Sequence, residues 1–309
     1  MDRTLLTIDW DFFVPENPQW DWGHPVQDAV VTHMLWQARC SAFACQSQNL
    51  QQLLTTNGLE KEFWSAILPR VSMTAASTVL TVSEDHSVAF ELAITANARH
   101  VLSFDAHCDL GYSSALAPEI KIDNWLAHWL LADPRNTATI VLSDTSVELK
   151  HLDILHESTK ARLGVAVLKR IKFRSWTEWL ATTKTTWALS AIHVCRSPEW
   201  TPPWTDKALN NFLAMLGANG LAERPAILPW EHPIPTPPSQ PEPNVQHRHG
   251  VEQDADAKWR VKKPDGSYWK TRYKTKDTAE AALVQLLKNN VKGRNEHKEK
   301  MRGLIRAAR

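Results

Sequence analysis

Three polar side chains that can bind a divalent metal ion follow one apolar run of the sequence. Asp105, His107 and Asp109 come directly after the run 100–104 and are spaced two residues apart. In an extended segment, side chains at i, i+2 and i+4 point the same way, so these three can converge beyond the end of a strand. Two carboxylates and an imidazole suit a hard-to-borderline ion such as Mn²⁺. A solvated loop is the alternative, and the strict spacing disfavours it.

A second acidic pair follows the apolar run 5–8 near the N-terminus. Asp9 and Asp11 are again two residues apart, although aspartates that end strands are also common turn residues. Together with the first group, this pair can supply the ligands of a second ion. His86 is a further candidate ligand, because it follows the apolar run 79–82 at a strand-to-helix junction, where open α/β sheets bind ligands.

The elements that must position these residues alternate between apolar runs and helical patterns. This alternation predicts an α/β fold with a mostly parallel sheet covered on both faces. The predicted strands are 5–8, 79–82, 100–104, 139–142, 163–168, 187–194 and 226–228. The predicted helices are 25–54, 59–68, 88–96, 123–131, 176–180 and 205–216.

Charge divides the chain into two parts. Residues 258–309 hold 16 lysines and arginines against 5 acidic residues, a net charge of +11, which leaves −10 for residues 1–257 of a chain whose total is +1. The stretch 236–257 is polar and rich in proline, which predicts an extended linker. We therefore predict a catalytic domain over residues 1–235 and a small basic module over residues 258–309.

The basic module has the pattern of a β-hairpin followed by a helix. Residues 258–263 and 267–273 flank Pro264-Asp265-Gly266, and Asp277 can cap a helix that ends near Gly293. Lysine, arginine, tryptophan and tyrosine are interleaved here, which is compatible with a nucleic-acid surface. An acidic partner and a solvated basic face remain open alternatives.

Other features of the composition exclude several classes of protein. The four cysteines (Cys40, Cys45, Cys108 and Cys195) are widely spaced and form neither a zinc pattern nor a disulfide framework. We find no run of eighteen apolar residues and no signal-peptide pattern. We therefore expect a cytoplasmic protein in a reducing compartment, without membrane contact. The oligomeric state does not follow from the sequence.

The motifs resemble those of the ureohydrolases, the family of arginases and agmatinases. Ser83-Glu84-Asp85-His86-Ser87 resembles the family's Gly-Gly-Asp-His-Ser motif, and Asp105-Ala106-His107-Cys108-Asp109 resembles its Asp-Ala-His-x-Asp motif. The resemblance covers roughly residues 1–235. It implies a three-layer α/β/α sandwich, two Mn²⁺ ions, and hydrolysis of a guanidino group to urea and an amine. It also implies that His86, Asp105, His107 and Asp109 are metal ligands.

The chain departs from the family in its late strand. Ser190-Ala191-Ile192-His193-Val194 stands where the family has Ser-x-Asp-x-Asp. The segment Asp9-Trp10-Asp11-Phe12-Phe13 instead resembles the Asp-x-Asp-Phe-Phe segment of an arginase-like branch that includes the peptide arginases. Those enzymes convert arginine to ornithine inside ribosomally made peptides. We infer that Asp9 and Asp11 replace the missing pair, which would complete six ligands for two ions.

The resemblance and the chemistry of the reaction suggest roles for four further residues. Asp85 is predicted to orient a metal ligand, and His128 to pass a proton to the leaving amine, since imidazole titrates near neutral pH. A buried guanidinium needs an anionic partner. Glu231 is the first candidate because it ends the last predicted strand, and Glu199 is the second.

Three more residues bear on the substrate. Asn124 opens a segment that loosely matches the family's substrate loop. Trp200 and Trp204 lie in a Pro-rich loop that fits an open groove for a peptide better than a small pocket, which favours peptide-bound arginine as substrate. A rigid crossover with buried aromatic residues is an equally compatible interpretation of that loop.

Three other functions are compatible with the sequence. The chain can be a ureohydrolase of free arginine or agmatine. It can be an amide hydrolase on the related deacetylase fold, although that class uses one zinc ion and fewer acidic ligands. It can also be a nucleic-acid-binding protein with a degenerate hydrolase domain, a function that the basic module would drive.

Overall fold

The structure is a computed structural model in which the chain divides into two compact units, Met1–Pro238 and Ser239–Arg309. It describes residues 3–15, 29–73, 79–182 and 186–218 of the first unit. In the second unit it describes the strand backbones 250–253, 259–262 and 268–273. Within these ranges, the helices are too short or too polar to cross a membrane.

The first unit is an α/β structure built on an all-parallel sheet. Its strands are β1 (Arg3–Asp9), β2 (Val71–Met73), β3 (Val79–Ser83), β4 (His100–Asp105), β5 (Thr137–Leu142), β6 (Ile171–Ser175) and β7 (Trp187–Cys195). Their order is β3-β7-β1-β4-β5-β6, and β2 pairs with the beginning of β7 beside β3. Parallel strands need crossover connections, which the helices between them supply.

The helices vary from single turns to four turns. The α-helices are α1 (Ala29–Ala44), α2 (Leu50–Leu53), α3 (Phe63–Ile67), α4 (Val88–Thr95), α5 (Trp125–Ala132), α6 (Val147–Lys150), α7 (Leu152–Leu163), α8 (Val165–Leu168), α9 (Trp176–Thr182) and α10 (Asp206–Ala218). Short 3₁₀ helices are formed by Trp10–Phe13, Leu59–Lys61, Leu68–Arg70 and Pro203–Thr205. The region predicted as one helix over 25–54 thus contains α1 and α2, and its first residues lie outside the described ranges.

Two apolar cores use alternate residues of the same strands. Leu5 of β1 belongs to a core with residues of α4, α5 and α7, whereas Leu6 belongs to a second core with residues of α3, α9 and α10. Since successive strand residues point to opposite faces, the sheet is covered on both sides. This arrangement is compatible with a three-layer α/β/α fold.

The strand predicted at 163–168 is wrong. Those residues end α7 and form α8, and the strand is Ile171–Ser175 instead. A continuous run such as Val-Ala-Val-Leu does not distinguish a buried strand from a buried helix. The real strand alternates, with Ile171 and Phe173 buried and Lys172 and Arg174 exposed, as expected at the edge of a sheet.

The second unit contains a separate three-stranded sheet. Strands β8 (Gly250–Gln253), β9 (Trp259–Lys262) and β10 (Tyr268–Tyr273) pair antiparallel in the order β10-β9-β8. The β9–β10 pair is the pairing that the predicted hairpin requires. The hairpin turn, the helix predicted from Asp277 and the strand predicted at 226–228 lie outside the described residues.

Candidate metal centre

The carboxyl ends of β3, β7, β1 and β4 form one continuous edge of the sheet. Asp9 and Ser83 are both in register with Cys195 of β7, and Ile8 is in register with Phe104 of β4. Parallel pairing therefore brings together the polar segments that follow each of these strands. Ligands bind at this end of open α/β sheets.

One histidine faces three carboxylates in the interior of this edge. The Nδ1 atom of His86 lies 2.8 Å from Asp109 Oδ2 and 3.2 Å from both Asp9 Oδ2 and Asp105 Oδ2. His86 is 2 % exposed. Neither His86 Nδ1 nor Asp105 Oδ2 makes a hydrogen bond with a described residue, although both are buried. Buried polar atoms are normally satisfied, so these two atoms fit a site that a cation would complete.

A second histidine lies closer to solvent. The Nδ1 atom of His107 is 2.9 Å from Asp11 Oδ2 and 3.7 Å from Asp105 Oδ1, and its side chain is 16 % exposed. Two groups of possible ligands result, namely Asp9 with His86 and Asp105, and Asp11 with Asp105 and His107. Asp105 belongs to both groups and turns a different oxygen to each histidine. A shared carboxylate of this kind can bridge two ions.

Each aspartate of the cluster is held by a donor from the protein. The donors fix the carboxylates in place, as the orienting partners of metal ligands do. The hydrogen bonds are Ser197 Oγ to Asp9 Oδ2 (2.6 Å), Ala106 N to Asp11 Oδ1 (3.1 Å), His107 N to Asp105 Oδ1 (2.8 Å) and Trp125 Nε1 to Asp109 Oδ2 (2.6 Å).

Two residues of the site adopt a backbone conformation that favours glycine. Asp109 has φ = 52° and Ser197 has φ = 46°, both in the left-handed region. Such residues cost free energy and tend to occur at functional sites. Here the unusual backbone accompanies two contacts within the cluster, from Asp109 to His86 and from Ser197 to Asp9.

The electrostatics of the cluster favour a cation. Burial, together with the charges of Asp109, Asp11 and Asp9, raises the pKa of Asp105 well above its usual range. Burial and Asp9 also raise the pKa of Asp11, which His107 partly offsets. Burial lowers the pKa of His86, but Asp109, Asp105 and Asp9 outweigh this effect and raise it. In the absence of a metal, protons therefore supply positive charge that a divalent ion can supply instead.

The donor set fits a divalent metal. Four aspartates and two imidazoles, with oxygen ligands in the majority, suit an ion such as Mn²⁺. All six residues predicted as ligands are in this cluster, including Asp9 and Asp11 from the N-terminal strand. The structure thus brings both acidic segments to one point, as the proposed relocation of the ligand pair requires.

Three other predicted site residues are bound to nearby backbone. The Asp85 carboxylate accepts a hydrogen bond of 2.8 Å from Ser87 N and shapes the turn that carries His86. The His128 ring is bonded through Nε2 to the Ala117 carbonyl at 2.9 Å. The buried Asn124 side chain bonds to backbone atoms of the loop before it. The roles predicted for these residues remain predictions.

The two predicted partners of a substrate guanidinium are in different situations. Glu199 is buried, and Arg39 donates a hydrogen bond of 2.6 Å to its carbonyl oxygen. Burial lowers the pKa of Arg39 to about 10, an effect that the charge of Glu199 opposes. Glu199 thus already has a cation beside it. Glu231 lies outside the described residues.

The two tryptophans predicted to line a groove have different surroundings. The Trp200 ring lies against the His107 ring, with centroids 4.8 Å apart, so it borders the cluster. Trp204 packs against Trp36 at 5.4 Å and donates a hydrogen bond of 2.6 Å to the Leu54 carbonyl. It belongs to a small apolar cluster with α1 and α2.

Sequence reasoning missed several residues that support the cluster, namely Thr7, Ser83, Trp125, Glu148, His193 and Ser197. Thr7 and His193 are polar residues within otherwise apolar strands, and both are fully buried. A polar residue in a buried strand needs a specific partner, which was the available signal. Trp125 and Ser197 carried no comparable signal, because their contacts depend on how distant segments pack.

Comparison of the chain with protein-family models, with curated proteins and with solved structures returned no match. Function is therefore inferred from the site itself. The fold and the site together define an α/β protein with a candidate centre for a divalent metal.

Proposed function

We propose that the chain is an Mn²⁺-dependent hydrolase of the arginase type, which converts peptide-bound arginine to ornithine and urea. The observation that carries this proposal is the pair of ligand groups that share Asp105, each with its own histidine. When bound, two ions supply Lewis acidity and a water of lowered pKa, which is the chemistry that hydrolysis of a guanidinium needs.

The residues of the chain divide into those that hold ions and those that border the substrate. His86 and Asp105 are the most enclosed part of the cluster. His107 and Trp200 form its more exposed side, where a substrate side chain can approach. A site that opens beside a half-buried tryptophan favours a substrate that is part of a larger molecule, such as a peptide.

The anionic partner of the guanidinium is best supplied by Glu148 of α6. Tyr112 donates a hydrogen bond of 2.6 Å to its Oε1, which fixes the carboxylate. Its Oε2 is buried and has no hydrogen-bond partner among the described residues. Burial raises the pKa of Glu148, whereas the charge of His107 and contacts with Tyr112 and the Cys108 thiol lower it, so Glu148 and His107 are close enough to interact. A guanidinium would satisfy Oε2, whereas Glu199 already faces Arg39.

The test compares two substrates. The full chain, loaded with Mn²⁺, is incubated with an arginine-containing peptide and with free arginine, and urea and product masses are measured. We expect urea and ornithine from the peptide and much less from free arginine. The Glu148→Gln variant should bind the peptide more weakly. The control variant Glu157→Gln, on the exposed side of α7, should bind the peptide as tightly as the unaltered chain.

Two outcomes would change the proposal. Faster conversion of free arginine or agmatine would keep the reaction and replace the substrate. Absence of urea from every guanidino compound, with metal bound, would overturn the arginase assignment and favour an amide hydrolase.

The second unit supports a separate candidate function, nucleic-acid binding. Arg260 of β9 is in register with Arg272 of β10, and Lys262 with Tyr268. Alternate positions of a strand share a face, so the register assigns these three basic residues to one face of the sheet. On its other side Arg260 is in register with Glu252 of β8, so the basic positions lie toward β10. The net charge of +11 over residues 258–309 would attract an anionic backbone.

This function is tested with the full chain and a fluorescent DNA duplex. Anisotropy should show binding that weakens steeply with salt and that Arg260→Glu with Arg272→Glu abolishes. The matched control is Lys172→Glu, an exposed basic residue of β6 in the first unit. Binding of an acidic peptide but not of DNA would assign the face to an acidic protein partner instead.

A further inference from the structure

A chain of hydrogen bonds runs beneath the candidate metal centre, through three adjacent strands. His86 Nε2 lies 2.8 Å from Thr7 Oγ1, which lies 3.1 Å from His193 Nδ1. His193 Nε2 lies 2.8 Å from Ser83 Oγ, which in turn donates to the Asp85 carbonyl at 2.7 Å. Thr7 and His193 are fully buried, and they are in register across the β1–β7 pair.

The donor and the acceptor of every hydrogen bond in this series follow from the last bond, from Ser83 to the Asp85 carbonyl. The Asp85 carbonyl can only accept, so the single hydroxyl proton of Ser83 is used there. Ser83 must then accept from His193, which places the proton of His193 on Nε2. A neutral imidazole has one donor and one acceptor, so His193 Nδ1 accepts the hydroxyl proton of Thr7.

The same count of donors and acceptors shows which nitrogen of the His86 ring must carry a proton. Thr7 has donated its only hydroxyl proton to His193, so it must accept from His86 Nε2. His86 therefore carries a proton on Nε2 whatever the state of Nδ1. In the neutral ring, the lone pair of Nδ1 points at the carboxylates of Asp9, Asp105 and Asp109. A lone pair that faces carboxylates needs positive charge between them, which a proton on Nδ1 supplies in the metal-free chain and a divalent ion can supply instead.

These donor and acceptor assignments require a neutral His193 ring, and the surroundings of that ring favour the neutral state. Among the described residues, its ring nitrogens bond only to the hydroxyl groups of Thr7 and Ser83. No carboxylate forms an ion pair with this ring in that part of the chain. A fully buried imidazolium without an anionic partner is costly, so the neutral ring is strongly preferred.

We propose that Thr7, His193 and Ser83 are positioning residues, which hold His86 in the tautomer whose Nδ1 binds the metal. With the opposite tautomer, an Nδ1–H group would satisfy the carboxylates by hydrogen bonds and leave the ion without this ligand. The Thr7–His193–Ser83 hydrogen-bond chain thus selects metal binding over hydrogen bonding at the most buried point of the site. The inference rests on the proposed metal centre and is independent of the substrate.

The first test removes one hydroxyl group. Metal-free full-length Thr7→Val is titrated with Mn²⁺, and free Mn²⁺ is followed by electron paramagnetic resonance. We expect its Kd to rise by about 10–100-fold, the usual effect of losing an orienting partner. Thr7→Ser, which keeps the hydroxyl, should restore Mn²⁺ affinity to near that of the unaltered chain. A purely structural role would lower the melting temperature of the metal-free chain without this difference in affinity.

The outcomes separate this inference from the proposed function. If the unaltered chain binds no Mn²⁺, the metal centre and the inference both fail. If the unaltered chain binds Mn²⁺ and Thr7→Val binds it equally tightly, the inference alone fails.

A second measurement covers the case in which Thr7→Val does not fold. Long-range ¹H–¹⁵N spectra of the unaltered chain, labelled at histidine, report which nitrogen of each ring carries the proton. We expect His193 protonated at Nε2 and bare at Nδ1, with its signals assigned through their shift in Ser83→Ala. A proton on Nδ1 of His193 would reverse the donors and acceptors of the hydrogen bonds to Thr7 and Ser83, and it would overturn the inference.

Discussion

The two histidines of the candidate metal centre have the same ligand atom but different surroundings. His86 is 2 % exposed, faces three carboxylates and is held from behind by Thr7. The His107 side chain is 16 % exposed, has the carboxylates of Asp11 and Asp105 near Nδ1, and lies against Trp200. One is an enclosed position, and the other is a position at the entrance.

The difference assigns separate tasks to the two positions. A ligand that cannot reach water must have its partners supplied by the protein, and the strands supply them to His86. A ligand near solvent can exchange water or substrate without disturbing the fold. We infer that the enclosed side retains an ion and that the exposed side admits the substrate, with Asp105 between them.

The largest expected effect comes from the residue common to both sides. Asp105→Asn removes the carboxylate that both ligand groups share, so we expect loss of both ions and a rate of urea release at background. Metal content after dialysis, measured by mass spectrometry, gives the number of ions directly. Asp153→Asn, an exposed position of α7, is the control. Retention of two ions by Asp105→Asn would show that the two positions are independent.

The two histidines should differ when each is replaced by asparagine. His86→Asn leaves three buried carboxylates without their imidazole partner, at a position that is 2 % exposed. We expect its Mn²⁺ affinity to fall by more than the roughly 100-fold limit typical of an orienting partner. His107→Asn should lose less, because solvent can fill the position. Equal losses in a parallel Mn²⁺ titration would remove the distinction between enclosed and exposed sides.

Much of this centre could be predicted from local sequence. The spacing of Asp105, His107 and Asp109 after an apolar run indicated convergence, and the structure brings those side chains together with His86. The same reasoning selected Asp9 and Asp11. Both predictions depend on the two-residue period of a strand, which is a local pattern that can be recognised in a single sequence.

The remaining features depend on pairing between distant segments. Thr7 and His193 are 186 positions apart, and their contact exists because β1 and β7 are neighbours in the sheet. No local pattern gives the order of strands. The prediction of a strand at 163–168 was wrong for a related reason. An apolar run without alternation can be buried as a strand or as a helix, and here it forms the helix α8. Trp204 was grouped with Trp200, although its partner is the carbonyl of Leu54.

The charge of the enclosed side should make the metal-free chain sensitive to pH. The pKa of Asp105 is raised above its ordinary value of 3.8, and that of His86 above 6.5. In both cases the folded state binds protons more tightly than the unfolded state. The stability that this contributes is complete below the ordinary pKa and is lost as the pH rises through the folded-state pKa.

We therefore expect the melting temperature of the chain in chelator to fall from mildly acidic to mildly alkaline buffer. Mn²⁺ should restore it, since the ion replaces the protons. Asp105→Asn should flatten the pH dependence in chelator, because it removes one of the titrating groups. A metal-free chain that is more stable in alkaline than in acidic buffer would contradict this account of the cluster.

The smallest expected effect concerns the entrance, and two tryptophans test it. Trp200 contacts His107, so Trp200→Ala should raise the KM for an arginine peptide by about 2–10-fold, the equivalent of one aromatic contact. Its content of two ions and its melting temperature should change little. Trp204→Ala should do the reverse, with a lower melting temperature and an unchanged KM, because Trp204 packs against Trp36. If Trp204→Ala raised KM as much as Trp200→Ala, the entrance would extend across the whole Pro-rich loop.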